Sequence, residues 1–239
     1  MTIEAETWQR ELTLAACPER MSSLTAYYKT GPGDYAEGDV FIATPVPEIR
    51  RISRPRWKLP PEVFAEMLDS PIHEFRLAAL IALVARNEHC RDDMVKRKET
   101  LDFYLAHTAA INNWDLVDQT AHKIVGEWML RTGDYSVAMR LAGSTNMWEQ
   151  RIAMISTWRL MGAGMLDLTF TLAARLMGHP HDLIRKAVGW MLREAGRRDR
   201  SRLEAFLDQW AATMPRVTLR IAVERFDNPT RRYYMTLTK

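Results

Sequence analysis

From Pro60 onward apolar residues recur at intervals of three and four, the spacing of helices that bury one face, and no run alternates with period two over β-branched residues. The chain is therefore predicted to be all-α. The pattern resolves into helices at 61–68, 72–87, 96–108, 114–130, 134–142, 147–161, 165–177, 181–195, 200–212 and 215–226, alternately shorter and longer, or five helical hairpins. The punctuation supports this pairing. "DSP", "NNW", "STNMW", "GHPHD" and "TMP" put Ser, Thr, Asn, Asp or Pro near the start of each second helix, where N-caps and first-turn prolines belong.

Aligning the second helices gives "FRLAAL", "VDQTAH", "QRIAMI", "RKAVGW" and "LRIAVE", with Arg76, Asp118, Arg151, Lys186 and Arg220 at one shared position. Successive spacings of 42, 33, 35 and 34 residues match two-helix repeats, so the predicted fold is an α-solenoid of HEAT-like hairpins. Second helices of such an array line its concave face, and a fixed repeat position recurs along that face. A concave basic groove is expected, with one carboxylate among four cations. Residues 1–59 read as an N-terminal helical and loop region, 60–228 as the five hairpins and 229–239 as a tail, all in one domain.

Composition adds a soluble globular class, with 47% hydrophobic residues. The first residues, "MTIEAETWQREL", contain no apolar signal segment, and no stretch approaches the ~18 uninterrupted apolar residues of a membrane span. A cytoplasmic monomer without membrane contact is expected. Cys17 and Cys90 form no CxxC pair and are expected to be reduced thiols. The net charge of +3 conceals an asymmetry, +6 over residues 181–239 and −3 over the rest, and a second basic knot lies in "EIRRISRPRWK" at 48–58. Lys and Arg contacts to phosphate supply most non-specific affinity for nucleic acid, so two basic regions point to a polyanion as partner. Charge runs are more often merely solvated faces, and composition alone does not decide between the two.

"YYKTGPGDYAEGDVF", "VPEIRRI", "NNWDLVD", "MWEQRIAM" and "IRKAVGWMLRE" follow one another between Tyr27 and Glu194. In content, order and approximate spacing they resemble the DNA alkylation-repair glycosylases of the AlkD type, built from HEAT-like repeats. The resemblance implies excision of cationic alkylated purines, chiefly N7-alkylguanine and N3-alkyladenine, from double-stranded DNA. It implies a catalytic aspartate at Asp118, tryptophans lining the site at Trp114 and Trp190, an arginine at Arg151, and an N-terminal tyrosine at Tyr27. Asn113 departs from the bulky residue that relatives often carry before the Trp–Asp pair. The family also includes members thought to bind DNA without excising bases.

The residues support the same chemistry on their own terms. Cleaving a glycosidic bond develops positive charge on the sugar, and a carboxylate is the matching countercharge. A base already cationic is a good leaving group and needs little general acid, so one carboxylate suffices. Trp114 precedes Asp118 by four residues, one turn away on the same helical face. Trp190 follows Lys186 by the same interval. Indole faces can pack against a cationic base, worth ~0.5 to 2 kcal/mol. Arg76, Arg151, Lys186 and Arg220 are expected to hold phosphates, which position a duplex without reading its sequence.

Other chemistries are poorly served. Gly31, Gly33 and Gly38 fit neither a phosphate loop nor a dinucleotide fingerprint and read as turn formers. His179 and His181 flank Pro180 in the manner of a helix entry rather than a metal site, and no metal or cofactor is expected. Lys186 facing a polyanion is unsuited to Schiff-base chemistry, which needs a lowered pKa. Trp128, Trp158 and Trp210 are assigned to helix packing. The rival function is a non-catalytic repeat protein that binds DNA structure or a protein partner. It shares the fold but gives no reason for Trp114, Asp118 and Trp190 to recur at repeat positions.

Overall fold

The computed structural model describes residues 1–237 and is all-α. Among these residues no strand forms, and Val40 and Ile72 make an isolated parallel bridge. Every helix predicted from residue 60 onward is present, with ends within four residues of expectation. The capping chemistry is as anticipated at two starts. Asn146 accepts from the Trp148 amide at 2.9 Å, and Pro215 directly precedes the helix at Arg216. The predicted tail differs. Asp227 accepts from the amide of Thr230 at 3.0 Å and opens a further helix, Asn228–Thr236, whose Tyr234 is buried and donates to Asp208 Oδ1 at 2.8 Å. Residues 238 and 239 of that tail lie outside the described residues.

Within the chain, predicted as one domain, the residues gather into two compact units, Met1–Thr120 and Ala121–Lys239. The first holds α1 (Ile3–Leu14), α2 (Met21–Tyr28), α3 (Val46–Ser53), α4 (Pro61–Leu68), α5 (His73–His89), α6 (Met94–Ala106) and the start of α7 (Trp114–Thr132). Its centre is α5, buried at every residue from His73 to Ala85, with α1, α3, α4 and α6 packed around it. The loop after α2 turns through Gly33 and Gly38, at φ 79° and 86° in the left-handed region that favours glycine. It then crosses the start of α5: the Val40 amide donates to the Pro71 carbonyl at 3.3 Å and the His73 amide to the Val40 carbonyl at 2.8 Å. Glu74 fixes the next stretch by accepting from the amides of Ile42 and Ala43.

The second unit continues α7 and adds α8 (Ser136–Leu141), α9 (Met147–Met161), α10 (Asp167–Leu176), α11 (Asp182–Arg198), α12 (Arg200–Trp210), α13 (Arg216–Ala222) and α14 (Asn228–Thr236). Consecutive second helices touch through glycine. A Cβ on Gly126 of α7 would stand 2.5 Å from the Ser156 carbonyl oxygen of α9, and one on Gly189 of α11 2.7 Å from that of Thr218 of α13. No side chain fits at either distance, so these glycines set how closely the hairpins stack.

Candidate functional site

The sequence "NNWDLVD" begins α7 as a capped helix. Asn113 is fully buried, and its side-chain oxygen accepts from the Trp114 amide at 2.8 Å. Trp114 and Asp118 then lie four residues apart on one face of α7, both half-buried, which keeps an indole and a carboxylate within reach of one ligand. Three tyrosines set the indole. The Tyr28 ring lies nearly parallel to it with centroids 5.6 Å apart, Tyr27 meets it edge-on at 5.6 Å, and its Nε1–H donates to the Tyr35 hydroxyl at 3.1 Å. Tyr27 is 64% exposed, whereas the neighbouring Tyr28 turns inward. Of the adjacent pair, Tyr27 is thus the one presented to solvent.

Behind this face lies a buried ionic chain that the sequence did not announce. Asp115 Oδ2 accepts from Tyr28 Oη at 3.0 Å and from His73 Nε2 at 2.9 Å. His73 Nδ1 lies 3.3 Å from Asp39 Oδ2, and Asp39 also accepts from Arg76 at 2.6 Å and from Asn113 Nδ2 at 3.2 Å. Burial alone would pull the His73 pKa down, but the charge and hydrogen bond of Asp115, joined by Asp39, outweigh it and push it up to about 9. Burial would raise Asp39, yet hydrogen bonds from His73 and Arg76 hold it below its ordinary value. Burial and the adjacent Asp115 push the Tyr28 phenol far above its usual range, so it stays a donor.

Arg76 therefore does not serve as predicted. Only 4% of the residue is exposed, and its guanidinium is engaged by Asp39 and by the carbonyls of Ser70 and Pro71, leaving it out of reach of a phosphate. Arg151 is likewise 5% exposed and donates to the Leu183 carbonyl, at the start of α11. Of the predicted row, Lys186 and Arg220 are the cations that face solvent. Three of the five cations in the basic knot at 48–58 are paired with carboxylates, Arg51 with Glu48 inside the knot and Arg54 and Arg56 with Glu88 and Glu11 outside it. Arg50 differs: exposed, it donates to Gln119 Oε1 at 2.8 Å, beside Asp118 in the chain. Its sequence context marks it only as one of five cations.

In the second unit Trp190 meets Trp158 edge-on at 5.1 Å, and Trp158 in turn leans on His122 at 4.9 Å. Trp158, expected to serve packing, is 38% exposed and lines a cavity of about 380 Å³ with Met161, Glu194, Arg197 and Arg198. The aromatic surface beside Trp190 is thus wider than predicted. His181 caps α11, its Nδ1 accepting from the Leu183 amide at 3.1 Å, while His179 Nδ1 accepts from the His181 amide at 3.0 Å. Both imidazoles serve the helix entry. Among the described residues no cluster of three metal-ligating side chains occurs, and no helix is long and apolar enough to cross a membrane.

Residues 8–226 match the family model described as DNA alkylation repair enzyme. Among solved structures, the chain is similar to one described as a predicted DNA alkylation repair enzyme from Enterococcus faecalis, with a TM-score of 0.69 and 19% identity over 89% of this chain and 97% of that one. At that identity the likeness speaks for the fold. No curated protein is matched by this chain.

Proposed function

Because this chain belongs to the DNA alkylation repair enzyme family, we propose that it is a monofunctional DNA glycosylase, releasing 7-methylguanine and 3-methyladenine from duplex DNA with Asp118 as the catalytic carboxylate. The observation that carries this reading is the single face at the start of α7. Trp114 and Asp118 stand one turn apart there, and exposed Tyr27 extends the wall made by the indole.

In this reading the bond between C1′ and the base nitrogen breaks with its electron pair passing to the base, which neutralises the base's own positive charge. The sugar is left as an oxocarbenium-like cation opposite the Asp118 carboxylate. Water adds through oxygen to C1′ and loses a proton, leaving an abasic site. The carboxylate favours the reacting state over the bound state, because it opposes phosphate before the cation exists and attracts the cation once formed. Trp114 and Tyr27 supply aromatic faces for a cationic base. Trp190 with Trp158, and the solvent-facing Lys186 and Arg220, are assigned to DNA binding in the second unit.

The test is to incubate the protein with methylated duplex DNA, without added metal or nucleotide, and measure free 7-methylguanine and 3-methyladenine. Release is expected to persist with a chelator present. Asp118→Asn keeps the shape and removes the charge, and is expected to slow single-turnover excision by roughly 10² to 10³ while DNA affinity stays equal or tightens. Excision by this variant at the parent's rate would overturn the assignment.

A further inference from the structure

The buried chain Arg76–Asp39–His73–Asp115–Tyr28 is composed of charged and polar groups where an all-α core would ordinarily use aliphatic ones. Its side chains are nearly inaccessible, at 2% for His73, 4% for Asp115 and 6% for Asp39. Buried ion pairs of this kind are often no more stabilising than apolar residues of similar volume, because desolvation offsets the attraction. What they supply is direction, since each hydrogen bond fixes an angle as well as a distance.

Both carboxylates address the start of α7. Asp39 holds Asn113, the residue whose side chain caps the helix, and Asp115 is itself the second residue of α7. His73 joins the two carboxylates through its two ring nitrogens, which requires both to carry protons. Tyr28 belongs to two arrangements at once. Its hydroxyl donates to Asp115, while its ring stacks with Trp114 at 5.6 Å and with Phe41 at 5.0 Å. The His73 ring stacks on Phe41 at 4.7 Å, so the hydrogen-bonded chain and the aromatic stack close on each other.

We propose that His73, Asp115 and Tyr28 are positioning residues for excision, which through the hydroxyl and ring of Tyr28 fix the Trp114 indole and with it the face that carries Asp118. This rests on the glycosylase reading for its effect on rate, but not for its effect on Trp114. None of the three need touch DNA. Misplacement of a reacting partner by about 1 Å can cost on the order of 10² in rate. Loosening the network should therefore slow the bound complex rather than weaken binding.

Two variants test the idea. Asp115→Asn removes the charge opposite His73 at nearly constant volume, and Tyr28→Phe removes only the hydroxyl, leaving the ring on Trp114. Three readings are taken on each: thermal unfolding, the indole ¹⁵N–¹H resonance of Trp114 identified by its loss in Trp114→Phe, and single-turnover excision beside affinity for undamaged duplex. Both variants are expected to shift the Trp114 resonance. Excision should fall by roughly 10² in Asp115→Asn and by less in Tyr28→Phe, with affinity within about twofold of the parent. Should Asp115→Asn fail to fold, Tyr28→Phe decides alone. A Trp114 resonance and an excision rate both unmoved in a folded variant would overturn the proposal. A parent that releases no base would instead refute the glycosylase reading, and the Trp114 resonance would then decide whether the network positions the indole.

Discussion

Arg76 and Lys186 occupy the same position in the second helices of their repeats, and the fold treats them oppositely. Arg76 lies in the buried face of α5 against Asp39 and two carbonyls, whereas Lys186 stands exposed on α11. The cause is not in either helix. The loop after α2 crosses the start of α5, pairs with it through Val40 and delivers Asp39 to the guanidinium. Repeat register tells which way a side chain leaves its helix. Whether something else covers it depends on a segment elsewhere in the chain.

The largest consequence concerns stability. Arg76→Ala leaves the Asp39 carboxylate buried without its guanidinium, and breaking a buried pair by removing one partner costs about 3 to 5 kcal/mol. Lys186→Ala, at an exposed position, should stay within about 0.5 kcal/mol of the parent. Urea unfolding of both variants measures the contrast. Equal midpoints for the two would mean that the buried pair and the exposed cation are structurally equivalent.

The same comparison explains what could be read in advance. Helices from residue 60 onward were legible because one-sided burial writes itself as a three- and four-residue period, and the pairing of Trp114 with Asp118 followed from that period. The network behind them was not. Asp115 meets His73 at a separation of 42 residues and Tyr28 at 87, and Asp39 comes from an irregular loop without periodicity. Arg76 and Arg151 are buried where the alignment led to an expectation of exposed cations, because a cation in an alignment column looks alike whether it faces solvent or a buried acceptor. Trp158 was misread in the opposite sense, since aromatic residues at helical spacing are usually core.

A second contrast between the two units should appear as pH dependence. In the first unit His73 is raised to about 9, amid Asp39, Asp115, Arg76, Glu74 and Tyr28. A histidine with a raised folded pKa contributes stability that is complete below its unfolded value, about 6.5, and is lost as pH rises through about 9. In the second unit burial lowers His179 and His181, whose Nδ1 atoms accept amide protons at the entry to α11. Their contribution is present above about 6.5 and is lost as pH falls through their lowered values. Stability followed from acid to alkaline pH should thus decline on both sides. His181→Asn, which keeps a cap that does not titrate, should flatten the acid side, and Asp115→Asn the alkaline side. Flattening of the same side by both variants would remove the contrast.

The smallest effect is the most direct measure of which cations meet DNA. Each phosphate neutralised by a protein cation releases condensed counterion, so the slope of log K against log salt changes by about 0.9 for every phosphate left without its cation. Lys186→Ala and Arg220→Ala remove exposed cations, and each should shallow that slope by about one phosphate's worth on damaged and undamaged duplex alike. Arg76→Ala, measured where the variant remains folded, should leave the slope unchanged, because its charge is already met by Asp39. The affinities themselves could mislead, since a destabilised variant binds less for reasons unrelated to phosphate, but the salt slope counts ions and is insensitive to that loss. A shallower slope in Arg76→Ala with none in Lys186→Ala would invert the comparison, and would mean that the alignment column, not the local burial, reports which side chains the DNA finds.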